Sequence, residues 1–118
     1  MTDFAVLEID ALGAPPDTNE YEGARHGTHA SFIVVDMAPG EGVRLHRHRY
    51  AEIFIVQVGR ARYRVGAETL DVVAPRVIVV AAGVAHGFVN TGSGRLRQVD
   101  IHDSPEIVTE WLPDTEDG

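Results

Sequence analysis

Apolar residues along the chain recur at every second position or in short unbroken runs rich in Val and Ile, which is the period of strands and not of helices. The pattern predicts strands over Phe4–Ile9, His29–Met37, Val43–His48, Ile53–Val58, Arg62–Val65, Thr69–Val73, Arg76–Val80, His86–Val89 and Arg95–Ile101. Turn-forming residues separate them: Pro39-Gly40-Glu41-Gly42, Gly59, Val65-Gly66-Ala67, Pro75, Ala82-Gly83 and Asn90-Thr91-Gly92-Ser93-Gly94. Strands this short and evenly spaced predict an all-β sandwich or barrel. The stretch Gly13–Gly27, with Pro15-Pro16 and no apolar period, reads as an extended arm or surface loop. Beyond Pro105 one amphipathic patch, Ile107, Val108, Trp111 and Leu112, precedes an acidic end at Asp114–Gly118.

Length narrows this to one domain, since 118 residues hold one core and not two. The expected division is a barrel core over about 29–102, an N-terminal strand and arm over 1–28, and a tail over 103–118. The longest apolar stretch, Val77–Ala85, is about half of what a bilayer span requires. Met1–Ile9 carries Asp3 and Glu8 and has neither a basic nor a long apolar region, so no secretory signal is read there and a cytoplasmic location is expected.

Two absences exclude whole chemistries. There is no cysteine, hence no disulfide, thiolate nucleophile, iron–sulfur cluster or thiolate zinc site. All ten basic residues are arginine, hence no lysine Schiff base and no phosphate-loop lysine. A formal charge of −8 opposes nucleic acid as a partner, because phosphate contacts need a basic face.

Among six histidines, His46 and His48 stand two apart on a predicted strand and therefore share a face. Glu52 follows after a short break at Arg49–Ala51, and His86 opens another strand. Three imidazoles and a carboxylate suit divalent first-row metals. The His pair by itself is more often the mark of surface or hydrogen-bonded core histidines.

The spacing Gly40, five residues, His46-Arg47-His48, three residues, Glu52, six residues, Gly59 resembles, gap for gap, the first motif of the cupin superfamily. Its second motif is matched in part by Ala81–Asn90, where Gly83, His86 and Asn90 stand in the family's Gly, His and Asn positions. Pro75 replaces the usual glycine and Ala81 the usual proline, departures that concern turns and not ligands. The chain is thus similar to small single-domain cupins, and the resemblance implies a double-stranded β-helix of jelly-roll type. It implies further that His46, His48, Glu52 and His86 bind one divalent metal, with Mn, Fe, Ni, Cu and Zn all found in similar cupins.

Four such ligands around a six-coordinate metal leave two open positions, the arrangement of an enzyme. The implied function is a metal-dependent enzyme on a small polar organic molecule, of oxygenase or oxidase, decarboxylase or isomerase type, with Glu52 as a catalytic proton shuttle. The alternatives are a non-catalytic ligand-binding barrel and a metal-stabilised structural one. Strand parity puts Phe54 and Phe88 beside the metal or in the ordinary core, and gives Arg44 the parity of His46, either facing an anionic substrate or solvated. Ala61, Tyr63 and Val65 should face inward, and Arg60, Arg62 and Arg64 outward. The last strand is ambiguous: Val99 and Ile101 face the core, or else Gln98, Asp100 and His102 do and become pocket residues. His26 and His29 read as surface residues. Small cupins pair through their sheets, so a homodimer is expected, with the proline-containing arm reaching to the second chain.

Overall fold

The computed structural model describes residues 3–13 and 18–113; Pro15-Pro16 of the arm and the acidic end Asp114–Gly118 lie outside them. Among the described residues ten strands are formed: β1 Thr18–Tyr21, β2 Ser31–Met37, β3 Gly42–Arg47, β4 Glu52–Val58, β5 Arg60–Val65, β6 Glu68–Val73, β7 Arg76–Val80, β8 His86–Asn90, β9 Leu96–His102 and β10 Glu110–Trp111. They build two five-stranded sheets, in the orders β1-β2-β9-β4-β7 and β10-β3-β8-β5-β6. Every pairing is antiparallel. From β2 onward the chain crosses repeatedly from one sheet to the other, the winding of a jelly roll, as the alternation of short strands and Gly-rich turns predicts.

Alternation along the strands fills the space between the sheets. Val35, Met37, Phe54, Val56, Ala61, Tyr63, Val80, Phe88 and Leu96 form the buried apolar core. Phe54, Tyr63 and Phe88 pack with ring centroids 5.5–6.0 Å apart. Ala61 and Tyr63 point inward and Arg60 and Arg62 outward, as parity requires; Val65 and Arg64 are half-buried.

Glycine is dictated where the chain turns between sheets. Gly59, linking β4 to β5, has φ +96°, and a Cβ there would stand 2.4 Å from the Arg95 carbonyl oxygen. Both the left-handed backbone and the close approach exclude a side chain.

The ends depart from the hydrophobic pattern. Phe4–Ile9 is not a strand: residues 4–8 join neither sheet, a 3-10 turn follows at Ile9–Ala11, and Val6 is 86% exposed. The edge of β2 is taken instead by β1, inside the stretch that reads as a loop, whose residues pair with β2 from Thr18↔Val35 to Tyr21↔Phe32. Tyr21 stacks on Phe32 with ring centroids 4.6 Å apart. The tail also adds a strand, β10, which sets Trp111 opposite His46. Among the described residues, no helix is long and apolar enough to cross a membrane.

Candidate metal centre

The pairing of β3 with β8 shifts between Val43 and His46, so that Val43 faces Phe88 while His46 faces His86. This bulge re-aims the strand where its ligands begin. His46 on β3, His48 just past its end, Glu52 at the start of β4 and His86 at the start of β8 come together at one end of the barrel. One candidate ligand atom from each lies within 4.8 Å of those of the other three, and all four residues are buried.

Each of the three imidazoles is oriented by the backbone. Nδ1–H donates to the Arg44 carbonyl in His46 (2.7 Å), to the Val108 carbonyl in His48 (2.8 Å) and to the Val84 carbonyl in His86 (2.9 Å). With the proton committed there, a neutral ring turns its Nε2 lone pair inward. Those lone pairs meet a carboxylate: Glu52 Oε1 stands 2.8 Å from His86 Nε2 and 3.1 Å from His48 Nε2. Two acceptors facing each other at that distance repel unless a proton or a cation lies between them. The Nε2 atoms of His48 and His102 are buried without a hydrogen-bond partner, since the nearby Glu52 oxygens lie out of line for one. Three nitrogen lone pairs and a carboxylate converging in this way fit a divalent first-row cation.

In the metal-free chain the same crowding sets the charges. Burial pushes His46 down to about 4. Burial also opposes ionisation of Glu52, but the surrounding imidazoles of His102, His48 and His86 outweigh it and hold the carboxyl well below its usual range. For His48, burial acts downward, and Glu52 with the Val108 carbonyl lifts the ring above its ordinary value. Asp100 is raised well above a normal carboxylate, by burial first and then by the Glu52 charge.

Strand β9 turns its polar face inward: Gln98, Asp100 and His102 are buried, whereas Val99 and Ile101 lie half-buried on the outer side. His102 Nε2 is 3.1 Å from Glu52 Oε2, the oxygen not shared with His48 and His86. The Tyr63 hydroxyl donates to Gln98 Oε1, and Gln98 Nε2 donates to Asp100 Oδ1 at 2.7 Å. Phe54 belongs to the core and also touches the centre, its ring 5.7 Å from that of His86; Phe88 packs against Phe54. Arg44 sits exposed on the rim, its guanidinium donating to the Leu112 carbonyl (2.9 Å) and covering the Trp111 ring at 4.7 Å. His26 and His29 are exposed.

Sequence reasoning passed over Tyr50. Its hydroxyl lies 2.7 Å from His102 Nδ1 and accepts the Val108 N–H at 3.2 Å, and burial raises its pKa to about 12. Its place in the break between His48 and Glu52 was the available signal. The role of the tail was also hidden, although the patch of Ile107, Val108 and Trp111 marked it as apolar surface in need of a wall to join.

A cavity of about 460 Å³ opens beside the cluster, reaching His46, His48, Glu52, Asp100 and His102. Phe54, Phe88 and Arg44 also line it, whereas Gln98 stands behind Asp100.

A family model described as Cupin domain matches residues 33–102. No curated protein matches the chain. Solved structures of Bacillus subtilis oxalate decarboxylase superpose on it. One, concerned with the EPR parameters of that enzyme's Mn(II) centres, gives a TM-score of 0.74 at 21% identity, over 80% of this chain and 27% of its own. The same enzyme at pH 4.6 gives 0.73 at 21% identity, again over 80% of this chain and 27% of its own. The chain therefore spans about a quarter of that enzyme's length, and the likeness is one of fold.

Proposed function

The chain belongs to the cupin domain family, and from that premise we propose that it is a metal-dependent enzyme acting on a small organic molecule that presents oxygen donors. Its reaction is of the oxygenase or oxidase, decarboxylase or isomerase type. The observation that carries this reading is the set of three imidazoles, each with Nδ1–H fixed on a carbonyl, those of His48 and His86 with Nε2 against the Glu52 carboxylate, gathered beside an open cavity. A purely structural site would have no use for a cavity that reaches three of its four ligands.

His46, His48, Glu52 and His86 would hold one divalent first-row metal. When bound, it supplies a Lewis acid next to the cavity and, if redox-active, a path for electrons. The chain's own groups then orient and exchange protons. Glu52 would carry protons to and from the bound molecule, with His102 Nε2 standing 3.1 Å from its Oε2 and the His102 ring held in turn by Tyr50. Asp100, its carboxyl raised well above the ordinary range by burial and by the Glu52 charge, lines the cavity, and in its protonated form it would donate a hydrogen bond to a bound oxygen. Phe54 and Phe88 exclude water from the inner side.

The test is elemental analysis of protein purified without chelator or metal-affinity resin, together with His46→Ala and His86→Ala variants. About one equivalent of metal, absent from both variants, followed by turnover in a screen of oxygen uptake, decarboxylation and isomerisation, is the expected result. Protein that neither carries metal nor takes it up on reconstitution refutes the reading.

The same reading makes the protein a cytoplasmic homodimer. In support of pairing, two unbroken apolar rungs cross the outer face of one sheet: Phe32, Ile101, Ile53 and Val79 in register, and Val34, Val99, Ile55 and Val77 beside them. A face of this kind calls for a cover, and a second copy supplies an identical one. A species of 12.8 kDa at micromolar concentration, the mass of one chain, would sink this part.

A further inference from the structure

The cavity beside the centre differs in chemistry from one part of its wall to another. His46, His48 and Glu52 offer a chelating end. Most of the remaining wall is hydrocarbon, with Ile33, Val35, Met37, Val43 and Phe88 all turned to it. The tail completes this apolar part through Ile107 and Trp111, which line the cavity together with Thr109 from alternate positions of one segment. Trp111 is the only tryptophan of the chain.

Charge on the wall is equally one-sided. Among the described residues lining the cavity, Arg44 is the only arginine, and its guanidinium is already engaged with the Leu112 carbonyl and the Trp111 ring. Apart from the imidazoles of the cluster and of His102, the other titratable groups there are Glu20, Glu52 and Asp100, all of them acids. A second anionic group on a ligand would meet carboxyls and hydrocarbon, with no free cation to neutralise it.

Size gives a third constraint. At about 460 Å³ the space lies within the range of roughly 300–1,000 Å³ typical of pockets for organic ligands. A molecule of two carbons would leave most of it to water against an apolar wall.

We propose that the cavity selects a ligand with oxygen donors at one end and an uncharged apolar body, and that it discriminates against small dicarboxylates and polyols. This rests on the metal reading above and names the substrate class of that same site. Burying a phenyl-sized body against the hydrocarbon wall is worth roughly tenfold to a hundredfold in affinity. Each hydroxyl left without a partner there costs about tenfold.

The experiment uses the full chain loaded with Mn(II). Three oxygen chelators are titrated by calorimetry: benzoylacetone, acetylacetone and oxalate, each corrected for its affinity for aqueous Mn(II). Trp111 fluorescence locates the diketones in the cavity. Benzoylacetone should bind at least about tenfold more tightly than acetylacetone, with oxalate weakest. Val43→Thr should weaken benzoylacetone about fivefold and leave Mn(II) stoichiometry and acetylacetone unchanged. Oxalate binding as tightly as benzoylacetone, or a corrected diketone ratio near one, overturns the proposal while the metal reading stands. Failure of the chain to bind Mn(II) or any other divalent first-row metal overturns both.

Discussion

Removing one ligand should uncouple stability from metal, and the size of the effect follows from linkage. A ligand that binds only the folded state, present at about a hundred times its Kd, stabilises by about 2.7 kcal/mol. For 118 residues, an unfolding entropy of about 2.1 cal/mol/K per residue makes this a rise of about 11 °C in Tm. His86→Ala deletes one of the four converging side chains. Disturbing even the outer partners of a metal ligand costs 10–100-fold in affinity, so a loss of about a hundredfold is a conservative expectation. At the same metal concentration the ratio to Kd falls to about one, the stabilisation to about 0.4 kcal/mol and the shift to about 2 °C. The assay is calorimetric melting of both proteins with and without Mn(II), the shift being read within each variant. That comparison removes the intrinsic cost of emptying a buried site, because the metal-free variant serves as its own reference. Equal shifts in the two proteins, or no shift in the wild type at any metal concentration, would refute the assignment of His86 and the convergence argument behind it.

Other consequences follow from single residues. Gly59→Ala should cost about 3 kcal/mol or more in urea denaturation, because φ is +96° and the new Cβ meets the Arg95 carbonyl oxygen at 2.4 Å. Gly40→Ala, at φ +88° with open space around it, should cost only about 1–2 kcal/mol, and equal losses would count against the close approach. In the metal-free protein, His46 titrates near 4 when folded against 6.5 as its ordinary value, so the unfolded chain takes up its proton first as pH falls. Its contribution is therefore fully present above pH 6.5 and is lost between 6.5 and 4, about 3 kcal/mol in all. His46→Asn should flatten the stability profile in that window, and an unchanged slope would disprove the burial argument. Tyr50→Phe leaves His102 Nδ1 and the Val108 N–H without their shared partner and should cost about 1–3 kcal/mol. It should keep one metal per chain; loss of metal instead would show that Tyr50 acts on the ligands themselves.

The middle of the fold was legible because its strands carry their own signal. In β4, β5 and β7 alternate residues face core and solvent, so period and turn residues alone set the bounds to within two positions, and Arg76–Val80 is reproduced without change. The four clustered side chains were legible for a related reason, since short spacings on strands fix direction whatever the rest of the chain does. Where an element borrows its stability from a neighbour, the signal disappears. Thr18-Asn19-Glu20-Tyr21 has no apolar alternation, and β1 forms because the edge of β2 offers unpaired backbone groups and Phe32 offers Tyr21 a ring to stack on. Strand β10 is two residues long and is placed by pairing with β3, in the segment that also carries the carbonyl of Val108 to His48. Phe4–Ile9 shows the converse, a strand-like pattern that pairs with neither sheet.

Strand β9 exposes a limit of a different kind. Its alternation is clear, but both of its faces have a claim on the interior: Val99 and Ile101 by hydrophobicity, Gln98, Asp100 and His102 by need of partners. Periodicity gives the phase of such a strand and leaves its sign undetermined. The sign is set across the sheet, where Glu52 stands in register with His102, Phe54 with Asp100 and Val56 with Gln98. Turning the polar face inward sets His102 between Tyr50 and Glu52 and gives Gln98 to Tyr63 and Asp100, so that polar groups costly to bury meet polar neighbours inside. The apolar face, turned outward, extends the rungs of Val34 with Ile55 and Phe32 with Ile53. Over Gln98–His102 this strand is polar within and apolar without, the reverse of the usual arrangement, and the polar stretch lies where the sheet borders the ligand cluster. The orientation of β9 and the gathering of the candidate ligands thus depend on each other. Replacing Glu52 removes the partner that justifies His102 facing inward, and its effect should reach the register of the whole strand.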